Sequence, residues 1–294
     1  MYRMVQSIAG RMAERRGAQA PTHLVPAALV PAALVLAGLL ATPATLAAET
    51  VRVGGTGMAL EAMRRMGAAF TAEDRSVTVE VLPSMGTPGG LRALKDGVID
   101  LAIIGRSMSA QEREGGFKEA FCLVTPLVFA TSRPRPPGIA RQQLPALYGE
   151  PRAAWADGAT MRIILRARTG SELPYLASVV PGLGDAFERA AKRSDVPVGS
   201  TDQENADLAH RIDGSLAVMT LLQINSERLD LRTVEIDGVA PSPDALARDV
   251  YPFSMRACLV IAARSGDAAA RLVALARSER GTALIRNLGG EPSE

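Results

Sequence analysis

Three short runs of glycine, serine and threonine stand between a strand-like and a helix-like stretch. They are Gly54-Gly-Thr-Gly57, Ser84-Met-Gly-Thr-Pro-Gly-Gly90 and Arg166-Ala-Arg-Thr-Gly-Ser171. A strand-to-helix turn exposes backbone N–H groups that have no helical partner, with the positive end of the helix dipole behind them. Small residues let an anion approach, and hydroxyls add donors. Arg106 and Arg166 each follow an apolar strand-like run, at the carboxyl end where open α/β sheets place ligands. A guanidinium fork suits a tetrahedral oxyanion. The chemistry expected is therefore capture of a small oxyanion. The sequence lacks GxSxG, GxxxxGK[ST] and HExxH, so no catalytic residue, metal ligand or cofactor site is assigned. His210 reads as a helix-surface histidine, Arg168 as solvated, and Asp202 and Glu204 as a solvated helix start.

The elements that must position these turns follow from periodicity. Val51–Val53 is a strand, and Met58 to Phe70 a helix with Leu60, Met63, Met66 and Phe70 on one face. Val77–Leu82 alternates as a strand, and Leu91–Lys95 is a short helix stopped at Asp96-Gly97. Leu101–Ile104 is uniformly apolar, as in a strand covered on both faces. Strand and helix alternating at this spacing predict parallel sheet with crossover helices. Phe121–Thr131 is a further strand, ending at the proline-rich Ser132-Arg-Pro-Arg-Pro-Pro-Gly138, a candidate domain boundary. Beyond it a second α/β unit has a helix near Gln142–Leu147, a strand at Met161–Leu165, helices to about Arg193 and a short strand at Leu216–Met219. Met255–Ala262 is a strand, and one C-terminal helix spans Ala268–Leu288 before Gly289-Gly290.

The chain has 294 residues, 47% hydrophobic and 4% aromatic, with a net charge of +2. That excludes a disordered chain and argues against a nucleic-acid partner. Residues 1–48 differ in kind. Arg3, Arg11, Arg15 and Arg16 precede an apolar run from Leu24 to Leu40, and small residues follow to Ala48. This pattern reads as a secretory signal peptide cleaved near Ala47 or Ala48. A retained membrane anchor is the alternative, disfavoured by Pro26 and Pro31. Removal of the segment leaves 29 basic and 30 acidic side chains, so an anion must be held by local geometry rather than by a broad positive field. Cys122 and Cys258 lie in strand-like runs, either paired in an oxidising compartment or buried as free thiols.

In order, these residues resemble the periplasmic phosphate-binding proteins of ABC transporters, a branch of the type II periplasmic binding protein superfamily. The most specific parts are Leu144-Pro-Ala-Leu-Tyr-Gly149 with Trp155-Ala-Asp-Gly158, and Val234-Glu-Ile-Asp-Gly-Val-Ala-Pro-Ser-Pro243 with Tyr251-Pro-Phe-Ser254. Asp100-Leu-Ala-Ile-Ile-Gly-Arg-Ser107 is similar to the strand that enters the family's cleft, and Gly214-Ser215 to a later glycine turn. The resemblance implies an α/β fold of two hinge-connected lobes, each a mostly parallel sheet flanked by helices. Lobe one would be 49–132 plus 247–294, and lobe two the inserted 133–246. It also implies a periplasmic monomer that takes an oxyanion, phosphate above all, to a membrane ABC permease. The positions carried over as ligand-binding are Thr56, Gly57 and Met58, Thr87, Gly105 and Arg106, and Arg166, Thr169, Gly170 and Ser171. Three departures bear on the ligand. Gly57 stands where the family usually has a hydroxyl, Glu172 would repel an anion if it faced the cleft, and Arg106 cannot accept a ligand's proton. A regulatory or interaction protein on the same fold, with a different ligand or none, is the alternative.

Overall fold

The computed structural model describes residues 48–293. The expected signal segment lies outside them. The chain opens with β1 (Glu49–Gly55), a 3-10 turn (Gly57–Ala59), α1 (Leu60–Glu73), β2 (Val77–Val81), α2 (Gly86–Asp96), β3 (Leu101–Ile104), α3 (Ala110–Glu114) and the long β4 (Lys118–Thr131). There follow α4 (Leu144–Gly149), β5 (Arg162–Ile163), β6 (Leu165–Arg166), α5 (Glu172–Val179), α6 (Leu183–Ala190), β7 (Val198–Gly199), α7 (Asp202–Arg211), β8 (Ser215–Thr220), α8 (Leu221–Glu227) and β9 (Arg232–Thr233). The chain returns through α9 (Pro243–Ala247), β10 (Ser254–Ile261), α10 (Asp267–Arg277), α11 (Glu279–Asn287) and β11 (Glu291–Ser293).

The main sheet runs β2-β1-β3-β10-β4-β8-β5, with β9 and β11 also pairing with β4. Its outer ends are parallel: β1 with β2 and β3, and β5 with β8. Its centre is antiparallel, because β10 enters between β3 and β4. One strand thus serves both ends of the sheet. Lys118–Pro126 of β4 pairs with β10, and Leu127–Ala130 pairs with β8. All four residues of β3 are buried, as its uninterrupted apolar sequence predicts. On one face α1 sets Leu60, Met63, Met66 and Phe70 into a core with Val53, Leu101, Ile103 and Leu259. Cys122 and Cys258 face each other across β4 and β10, and they form a disulfide.

Three local expectations change. The helix expected at Leu91–Lys95 begins at Gly86, because Gly90 lies against the Gly55 backbone, where a Cβ would come within 2.7 Å of its Cα. Glycine in that helix serves a close contact rather than a turn. The strand expected at Met161–Leu165 divides into β5 and β6, which pair with different partners, β8 and β7. The single C-terminal helix is two. Ser278 adopts an extended backbone (ψ 163°), and its hydroxyl accepts the Gly281 N–H, so it ends α10 and caps α11.

Candidate functional site

Six of the ten residues read from sequence line one cavity of about 500 Å³: Thr87, Gly105, Arg106, Thr169, Gly170 and Ser171. The first turn of α2 supplies Thr87, the chain leaving β3 supplies Gly105 and Arg106, and the turn between β6 and α5 supplies the other three. The Thr87 hydroxyl accepts the Gly105 N–H at 2.9 Å. That bond uses the glycine's donor and leaves the threonine proton able to point at a ligand. Ser171 closes against Gly105, where a Cβ would lie 3.4 Å from its hydroxyl oxygen.

Arg106 borders the cavity with its guanidinium already engaged. It donates to both carboxylate oxygens of Glu112, at 2.8 and 2.7 Å, and to the Ser107 carbonyl. The Arg106 hydrogen bonds hold the Glu112 carboxyl well down, at about 2, and Glu112 in turn raises Arg106. The pair is partly exposed, so Arg106 keeps some freedom to turn toward an anion.

Sequence reasoning did not assign Tyr175, Ser254 or Arg256 to the site, although all three line the same cavity. The Tyr175 hydroxyl accepts the Ser254 N–H at 3.1 Å, joining α5 to the start of β10 across the opening. Arg256 donates to the Ser293 hydroxyl at 3.1 Å and lies 4.0 Å from Glu119. A signal for Ser254 was present in Tyr251-Pro-Phe-Ser254. No local pattern marks Arg256, because the antiparallel insertion of β10 brings it there.

Thr56, Gly57, Met58 and Arg166 are outside that cavity's lining and buried, and two of them, Gly57 and Arg166, meet at Asp202. Arg166 is 6% exposed and donates to the Gly199 carbonyl at 2.9 Å. Its guanidinium lies 3.3 Å from the Asp202 carboxylate and 3.8 Å from that of Glu172. The Gly57 N–H donates to the same Asp202 oxygen, Oδ2, at 2.9 Å. Asp202, expected in solvent, is therefore buried at 4%, because Thr201 caps α7 and turns the first helical residue toward the Gly57 loop. Glu204 is exposed and accepts the Ser200 N–H, as a helix-start carboxylate should. Glu172 faces Arg166. Burial, with the Asp202 charge beside it, pushes its carboxyl up to about 7 against the pull of Arg166. Arg168 is exposed and pairs with Glu188, and His210 is exposed on α7.

Solved structures share this architecture at low identity. A phosphate ABC transporter substrate-binding protein from Clostridium perfringens, so assigned and with phosphate bound, superposes with a TM-score of 0.71 at 14% identity. It covers 84% of this chain and 100% of that one. The periplasmic molybdate-binding protein of Azotobacter vinelandii gives 0.55 at 13% identity, over 83% and 100%. A reduced form of OxyR from N. meningitidis gives 0.54 at 13%, over 83% and 99%. No curated protein matches the chain in sequence. The likenesses establish a two-lobed α/β binding-protein fold, and a family model described as the PBP superfamily domain matches residues 41–266. This chain belongs to the PBP superfamily.

Proposed function

We propose that the chain is a periplasmic solute-binding protein, not an enzyme, that captures a small oxyanion between its lobes and delivers it to a membrane ABC permease. The observation that carries this is the convergence on one cavity of hydroxyls and guanidinium groups from separate segments. Thr87 and Arg106 come from one side, Thr169, Ser171 and Tyr175 from another, and Ser254 and Arg256 from β10. Phosphate is the first ligand to test, because a relative with the same fold carries it. The lobes are 49–132 with 247–294, and 133–246, and closing them on a ligand that touches both supplies the signal to the permease. Among the described residues no helix is long and apolar enough to cross a membrane, and export rests on the signal peptide read in residues 1–48.

Calorimetric titration of ligand-stripped protein with phosphate, then sulfate, tests this. Micromolar or tighter binding of phosphate alone supports an uptake receptor, and heat from both makes it a general oxyanion binder. Arg106 is already bound to Glu112, which favours a second reading, a regulatory or interaction protein that holds no oxyanion tightly. Absence of heat from either anion would select that reading.

A further inference from the structure

We infer that Asp202 is a specificity-determining residue: its carboxylate fills an oxyanion position between the Gly57 N–H and the Arg166 guanidinium and confines a solute's anionic group to the neighbouring cavity. The part concerning the solute rests on the binding reading above; the filled position does not.

The position has the chemistry of an anion site. The Gly57 N–H opens a 3-10 turn that ends at Ala59, before α1 begins, and this donor points at the carboxylate. Arg166 supplies the countercharge from a different part of the fold, and both donors meet a single oxygen, Asp202 Oδ2. The fit is close. A Cβ at position 57 would lie 2.7 Å from that oxygen and 2.5 Å from Gln203 Oε1, so only glycine admits the start of α7. The backbone on each side of the contact is also held. Gln223 donates to the Asp202 carbonyl at 3.1 Å, and Gln203 donates to the Gly57 carbonyl at 3.2 Å.

An oxyanion from solution would need the same two donors and would meet the charge of Asp202. While that carboxylate stays, the Gly57–Arg166 position is satisfied without ligand. What remains for a solute is the cavity of Thr87, Arg106 and Ser171, large enough for an organic anion as well as for an inorganic one.

The test is thermal melting of wild type, D202A and D202S with inorganic phosphate and with sulfate, each also made with R106A to disable the cavity. D202S also vacates the position but keeps a hydroxyl at the helix start, should D202A fold poorly. Phosphate at roughly 10 mM should raise the melting temperature of both Asp202 variants by about 5 °C more than that of wild type, and the gain should persist with R106A. No extra gain, or a gain lost with R106A, overturns the inference. So does failure of both variants to fold at any phosphate concentration, because a vacated anion site should be refilled. Calorimetry on wild type reads the cavity separately. A wild type that takes no anion beside a D202A that does would sink the solute-binding reading and keep the internal anion.

Discussion

Replacing both cysteines, C122A/C258A, is the perturbation with the best-defined magnitude. The two lie 136 residues apart in sequence and opposite each other on β4 and β10, both buried. In the chain-entropy description, closing a loop of that length restricts the unfolded ensemble by about 5 kcal/mol at 25 °C. Native disulfides measured by removal reach about 2–5 kcal/mol, so a loss of roughly 3–5 kcal/mol is expected here. Urea denaturation gives the number, followed by far-UV circular dichroism and by the fluorescence of Trp155, the one tryptophan. That residue is buried and packs away from the disulfide, with its indole N–H donating to the Gly214 carbonyl. The variant should also show a steeper denaturant dependence, because its unfolded chain expands further. Reduction of the wild-type protein should reproduce the shift. A loss below about 1 kcal/mol with unchanged slope would refute the reasoning, because a cross-link of this span could not then be restraining the unfolded chain.

Three further outcomes follow from the buried cluster and the cavity. R166M should cost about 3–5 kcal/mol in denaturant unfolding, since it leaves the Asp202 and Glu172 carboxylates buried without their cation; unchanged stability with lost anion affinity would instead make Arg166 a ligand arm. Glu172 titrates near 7 when folded against an ordinary 4.5. The folded chain therefore keeps a proton that the unfolded chain has released. This contribution is full below about pH 4.5 and is lost as pH rises through 7, so E172Q should gain melting temperature over wild type across that window; a pH-independent difference would contradict the assignment. T87V removes the acceptor of the Gly105 N–H and a hydroxyl of the cavity, and should weaken any anion that binds there by about tenfold in calorimetry; equal affinity would place the anion elsewhere.

The sequence pattern was most informative where a requirement is local. Leu101–Ile104 reads as a doubly covered strand because four apolar residues in a row have no other use, and β3 has those bounds. The turn from Arg166 to Ser171 reads as strand-to-helix because its glycine and hydroxyls sit between two periodicities, and it joins β6 to α5. What stayed hidden depends on partners far along the chain. Asp202 looks like an ordinary first-turn acid until Gly57, 145 residues away, is brought to it. Arg166 sits at a strand end as ligand-binding arginines do, and only the placement of α7 and α5 shows its charge consumed internally. The state of the cysteines turned on the register of β10 against β4, which no spacing encodes. Arg256 reaches the cavity for the same reason, the insertion of β10 between two strands made much earlier, whereas Tyr175 arrives on α5 one turn after Ser171.

That insertion also sets an order of assembly. During synthesis β3 and β4 are both complete long before Ser254–Ile261 exists, yet neither pairs with the other in the finished sheet. Until β10 arrives, each presents an open edge flanked by apolar residues, the kind of surface that recruits other chains. The strand that fills the gap also carries Cys258 to Cys122. Oxidation of this pair therefore seals the gap once β10 has filled it, and trapping the remaining thiols over time would count the molecules in which that strand is not yet seated.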